Sequence, residues 1–141
     1  MTSKATTIIQ PYLFFNGRCE EALEFYRKNL GAEVDALMRF KESPDQQSCG
    51  GNIDPEKVMH ASFRVGNTEL MASDGCGGGT TNFQGFSLSY TVPTVEEAER
   101  IFAVLADGGE VQMPLAQTFF SPRFGMVTDR FGLGWMVHVA P

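Results

Sequence analysis

One run of sequence occurs twice in this chain: EEALEFYRKNLGAEV begins at Glu20 and EEAERIFAVLADGGEV at Glu96. In both copies a helical period ends in glycine and passes into a Glu-Val pair that opens an extended segment. A repeat constrains the fold before any single residue does, because each copy must be the same supersecondary unit. Two copies are too few to stack as a solenoid, which needs at least three units to bury a continuous core. The chain is therefore expected to be a single domain, 1–141, built from two like modules, with its site where the two halves face each other.

Period and punctuation fill in the modules. Residues 11–15 read as a strand, Asn16-Gly17 as a turn, and Glu20–Leu30 as a helix whose Ala22, Leu23, Tyr26 and Leu30 recur at steps of three and four. Gly31 stands at the C′ position that ends it. In the second copy 87–92 reads as a strand. Thr94 with Glu97 forms a capping box for a helix that carries Val95, Ala98, Phe102 and Leu105 on one stripe and ends before Gly108-Gly109. Extended segments follow each helix: 34–40, 58–65 and 69–73, then 111–120, 125–128 and 135–139. Asp129-Arg130-Phe131-Gly132 reads as the tight turn before the last strand. Each module is strand, helix and three strands, an α+β arrangement with module one at about 8–74, a linker at about 75–84 and module two at about 85–140. The polar stretch 43–57, with Pro44, Gly50, Gly51 and Pro55, reads as a long loop of the kind that is often a lid or disordered.

At 141 residues the chain has the commonest size of a single domain, enough to bury a core without disulfides. Cys19, Cys49 and Cys76 cannot all pair and lack CxxC spacing, so they are expected to be reduced and inert, which fits the cytoplasm. The apolar N-terminal stretch is broken by Gln10 and Pro11, too short for a signal or a span, so no membrane is expected. A net charge of −6 without a Lys/Arg cluster argues against nucleic acid.

Strand alternation sorts the polar residues onto faces. In SLSYTV, Leu88, Tyr90 and Val92 point one way, and Ser87, Ser89 and Thr91 the other. In VMHASFRV, Ala61, Phe63 and Val65 pack, while His60, Ser62 and Arg64 share the opposite face. Leu70 and Ala72 pack where Met71 and Ser73 do not, and Trp135, Val137 and Val139 cover the helix and leave Met136 and His138 opposite. The outcome is a half-apolar pocket with two histidines and an arginine.

The blocks PYLFFNGRCEEALEFYRKNLGAEV, ELMASD and TFFSPRFGMVTDRFGLGWMV, spanning about Pro11 to Val139, resemble the PhnB-like branch of the vicinal oxygen chelate superfamily. That superfamily includes glyoxalase I, extradiol dioxygenases and the bleomycin and fosfomycin resistance proteins. The resemblance implies two βαβββ modules forming a concave mixed-sheet cavity, and a homodimer. It places Pro11, Leu13 and Phe15 inward, Tyr12 and Phe14 on the helix side, and Phe119 and Arg123 beside the pocket. Metal-dependent members draw ligands from the first and last strands of each module. Here those positions fall on Pro11, Ser87, Met71 or Ser73, and Met136, none a strong ligand for a hard or borderline divalent ion. No metal and no cofactor are therefore expected, although His60 and His138 could rebuild a site with Asp74.

The implied function is a PhnB-like small-molecule-binding protein, or a metal-independent enzyme, acting on a small anionic organic compound. His60 and His138 would be the acid–base groups, since an ordinary imidazole titrates near neutral pH. Arg64, Ser62, Met71, Ser73, Ser87, Ser89, Met136, Phe119 and Arg123 would contact the ligand. A metal-dependent lyase or dioxygenase is the alternative, and an S-adenosylmethionine-dependent methyltransferase a remote one. ELMASDGCGGG looks like the glycine loop of such methyltransferases, but that loop needs a helix N-terminus after it, and TTNFQGFSLSYTV carries no helical period.

Overall fold

Both copies of the repeat fold as helices, in a computed structural model that describes residues 7–43, 54–76 and 82–141. Helix α1 (Cys19–Leu30) buries Cys19, Ala22, Leu23, Phe25, Tyr26 and Leu30. Helix α2 (Val95–Ala106) buries Ala98, Ile101, Phe102 and Leu105, and Val95 at its start is only half-buried. Gly31 ends α1 in the left-handed conformation at φ 70°, with its N–H on Tyr26 O. At α2 the Thr94 hydroxyl accepts from Glu97 N–H at 3.2 Å. The Glu97 carboxylate pairs with Arg100 at 3.1 Å.

Around α1 lie β1 (Tyr12–Phe14), β2 (Glu33–Arg39), β3 (Val58–Val65) and β4 (Thr68–Ser73); around α2 lie β5 (Leu88–Val92), β6 (Glu110–Ala116), β7 (Phe124–Thr128) and β8 (Gly134–Val139). Each set forms one four-stranded sheet, ordered β1-β4-β3-β2 and β5-β8-β7-β6. The first pair in each is parallel, because the helix carries the chain across before the last strand returns beside the first; the other pairs are antiparallel. The repeat extends to its irregularities. The ladder slips between Val34 and Ala36 in one sheet and between Val111 and Met113 in the other, just after the repeated Glu-Val pair. The chain divides into two compact units, Met1–Gly78 and Gly79–Pro141, one for each copy.

Two carboxylates organise the turns. Asp74, 4% exposed, follows β4. It accepts from Gly17 N–H and Cys19 N–H on Oδ1 and from Val58 N–H on Oδ2, each at 2.8 Å. Asp129, 2% exposed, follows β7. It accepts from Phe131 N–H at 2.9 Å, Leu133 N–H at 3.1 Å and Trp135 Nε1–H at 2.9 Å. Gly132, at φ 88°, closes that turn on Asp129 O.

Two expectations are corrected here. The strand expected to reach Phe120 stops at Ala116, because Thr118 folds the chain into a turn: its Oγ1 accepts from Ser121 N–H at 3.0 Å and its N–H donates to Ser121 O at 2.9 Å. The cysteines are not all reduced: Cys76 is disulfide-bonded, Cys19 is a buried thiol, and Cys49 lies outside the described residues. Most of the expected 43–57 loop, residues 44–53, and linker residues 77–81 also lie outside them. Burial, with the neighbouring Asp74 and Glu20 charges, pushes the Cys19 thiol far above its ordinary range. Cys19 should therefore resist a thiol alkylator in native protein and react only after unfolding. Peptide mapping checks this, and fast native labelling would contradict it.

Candidate functional site on the sheet faces

In the first unit, one face of the sheet packs on α1 and the other is turned away from it. Ala61, Phe63, Leu70 and Ala72 are buried toward the helix, and Phe63 stacks on Tyr26 of α1 with ring centroids 6.2 Å apart. By alternation His60, Ser62 and Met71 occupy the opposite face, and all three are half-buried.

The first strand is oriented opposite to expectation. Leu13 and Phe15 are buried, and Phe15 meets Tyr26 of α1 at 6.3 Å, so it is Tyr12 and Phe14 that stand on the face turned away from the helix. The run Tyr-Leu-Phe-Phe is apolar on both sides and its alternation decides nothing. One signal was available: a buried phenol needs a hydrogen-bond partner, so tyrosine favours the side where one can be had. The partner is His60, whose Nδ1 lies 3.0 Å from the Tyr12 hydroxyl. Tyr12 also stacks on Phe14, centroids 5.0 Å apart. Burial is the largest influence on the Tyr12 hydroxyl and raises its pKa, so the phenol stays protonated.

The remaining expected residues of this unit divide. Met71 pairs with both Tyr12 and Ser62 across the sheet. Ser73 is buried, and its Oγ lies 3.4 Å from Val58 O and accepts from Gly75 N–H at 2.8 Å. Arg64 is exposed at the far end of β3, roughly 13 Å from His60 at the usual rise per strand residue. Its guanidinium is held by Asp35 at 3.0 Å and by Glu33. Its charge is answered there.

In the second unit the same construction uses different residues. His138 on β8 lies with Nε2 2.7 Å from Thr91 Oγ1 and 3.4 Å from Ser89 Oγ, both on the parallel neighbour β5. On its other side an aromatic chain runs outward: Phe124 meets the His138 ring at 6.1 Å, Phe120 meets Phe124 at 5.1 Å, and Phe119, fully exposed, meets Phe120 at 5.1 Å. Met136 pairs with Ser89 and Met126. Ser87 precedes β5, beside Gly134. Arg123 is half-buried and donates to Pro122 O at 2.7 Å.

These donor sets do not suit a divalent metal. With β1 oriented as observed, Pro11 lies outside the strand and the side chain facing Met71 is the Tyr12 phenol. Beside it stand thioethers and hydroxyls, poor ligands for such ions. Asp74 cannot complete a site with the histidines as envisaged, since three backbone N–H groups occupy its carboxylate. Among the described residues no group of three His, Cys, Asp or Glu is placed to hold a metal ion.

The family model described as 3-demethylubiquinone-9 3-methyltransferase matches residues 7–138. Protein YjdN of Escherichia coli (strain K12) is 35% identical over 138 residues, 93% of this chain and 94% of YjdN. The chain belongs to this family, the PhnB-like branch. Two relatives have solved structures. Protein PA1353 from Pseudomonas aeruginosa is 43% identical, with 96% of this chain and 98% of that one covered and a TM-score of 0.83. A PhnB protein from Bacillus cereus is 30% identical, with 95% and 100% covered and a TM-score of 0.80. A glyoxylase/bleomycin resistance protein/dioxygenase domain from Frankia sp. EAN1pec, 15% identical at a TM-score of 0.62, shares the fold of the PhnB-like chain. No helix among the described residues is long and apolar enough to cross a membrane.

Proposed function

We propose that this PhnB-like protein binds a small organic anion with an apolar body, the polar contact being His60 on the sheet of the first unit or His138 on that of the second. One observation carries the reading. In each unit the sheet face turned away from the helix presents a histidine, tethered through one ring nitrogen to a hydroxyl of another strand, among methionine and aromatic side chains. Such a surface offers apolar area for the body of a ligand and an imidazole N–H for a carboxylate or phosphonate oxygen. Ser62, Ser89, Met71, Met136 and Phe119 would contact the body or rim. Arg64, matched by two carboxylates, has less to give than its charge suggests. The same groups serve a sequestering binder or an acid–base enzyme in which a histidine moves the proton.

A methyltransferase reading finds less support. Asn82–Ser87 contains no helix, and the next element is strand β5, so the described residues lack the helix N-terminus that would seat a nucleotide-like cofactor behind the glycine run. No cofactor is invoked. A metal-dependent lyase or dioxygenase is disfavoured by the phenol and thioethers described above.

Native mass spectrometry with elemental analysis of protein as purified tests the proposal. A small organic mass without a stoichiometric transition metal is expected; about one zinc, nickel, iron or manganese per subunit, lost on replacing His60 or His138, would overturn it.

A homodimer belongs to the same proposal. The outer strands β2 and β6 leave Val34, Met38, Val111 and Met113 exposed, and edges of that kind are commonly covered by association. Sedimentation at micromolar concentration should give the mass of two chains, and a monomer mass would refute it. Cytoplasmic residence is kept as part of the reading, although the Cys76 disulfide removes the cysteine argument for it.

A further inference from the structure

We propose that Tyr12 is the positioning residue for His60: its hydroxyl donates to Nδ1 and so fixes the neutral imidazole with the proton on Nε2. The pair sits at 3.0 Å, with ring centroids 5.6 Å apart and planes inclined by 42°. A hydrogen bond between these two atoms can run either way, and chemistry chooses. The phenol O–H is the more acidic donor, and an sp² imidazole nitrogen the better acceptor than a phenol oxygen.

The surroundings hold both partners in place. Phe14 stacks on Tyr12 with planes inclined by only 29°, which limits rotation of the phenol ring. Across the strands His60 lies opposite Met38 of β2. Ser62 on its own strand, and Met71 and Ser73 on β4, share its face. None of these carries a charge, and the Ser73 hydroxyl is engaged by backbone groups. Among the described residues Nε2 has no hydrogen-bond partner. A fixed Nε2–H is therefore a donor waiting for an acceptor, which specifies an oxygen acceptor such as a carboxylate or phosphonate for the ligand. That last step rests on the proposed function; the tautomer does not.

Protein labelled with ¹⁵N-histidine, free of added ligand at about pH 8, above the ordinary imidazole range, tests the inference by NMR through the long-range couplings that separate the two tautomers. In wild type, His60 should show one form, protonated on Nε2. Tyr12→Phe keeps the ring and its stacking and removes only the hydroxyl, so the Nδ1–H form should rise from nearly none to a readily detected share, with the Nε2–H form falling by the same amount. His138, in the other unit, should be unchanged, which certifies that the variant is folded. A wild-type His60 protonated on Nδ1 overturns the proposal whether or not the variant folds, and so does an unchanged His60 pattern in folded Tyr12→Phe. Since the measurement is made on protein refolded from denaturant to strip any bound small molecule, a failed search for the ligand leaves this result standing, and the reverse holds too.

Discussion

Replacing Asp74 by alanine should lower the stability of the protein by about 4 kcal/mol, among the largest effects available to a single side chain. Helix α1 has no side-chain cap of its own: Arg18 holds the N-cap position and offers no cap hydrogen bond. Asp74, 55 residues on, does the capping, taking the Cys19 N–H at 2.8 Å while also taking those of Gly17 and Val58. Its charge sits at the positive end of the helix dipole, adding to the benefit. One side chain thus joins the Asn16-Gly17 turn, the helix start and the start of β3, and its removal strands three donors at once, those of Cys19 and Val58 buried. Asp74→Asn should cost about half as much, because the amide oxygen can still take the Gly17 and Cys19 donors while its NH₂ faces the Val58 N–H. Urea unfolding of the two variants checks the ranking. An alanine variant within about 1 kcal/mol of wild type would show that water replaces the carboxylate.

Gly109→Ala should be comparably damaging, at about 3 kcal/mol or more. A Cβ at that position would lie 2.0 Å from Thr128 O and 3.0 Å from backbone atoms of Asp129. No side-chain rotation relieves a clash with backbone, so β6 would have to move away from β7 where Glu110 pairs with Thr128. Gly66→Ala is the contrast. Its Cβ would meet nothing within 4 Å and only its φ of 60° is unfavourable, a cost of about 1 kcal/mol. Equal losses in the two variants would argue against close packing at Gly109.

The repeat was legible because each helix carries its period and its stop signal locally, and VMHASFRV was legible as a strand because Ala61, Phe63 and Val65 alternate with His60, Ser62 and Arg64. That strand occupies Val58–Val65 as expected, and β5 and β8 present Ser89, Thr91, Met136 and His138 on the expected face. The first strand failed where alternation carries no information: Tyr12, Leu13, Phe14 and Phe15 are all large and apolar. With its orientation went the Tyr12–His60 pair, the best-defined polar contact of the first face. Other parts were hidden because they depend on pairings distant in sequence. Nothing local marks Asp74 as the cap of a helix 55 residues earlier, nor Arg64 as the partner of Glu33 and Asp35 across a bulged ladder. The end of β6 was misplaced because Thr118 competes for the backbone with its own hydroxyl.

The proposed function requires that a small anion binds at His60, at His138 or at each of them. Calorimetric titration with phenylphosphonate, an aromatic anion with strong acceptor oxygens, puts this to wild type, His60→Ala and His138→Ala under one condition. Wild type should bind, and loss of a charge-assisted hydrogen bond should weaken binding about ten-fold or more in at least one of the two variants. Absence of binding to wild type, or equal affinity in all three proteins, would contradict it.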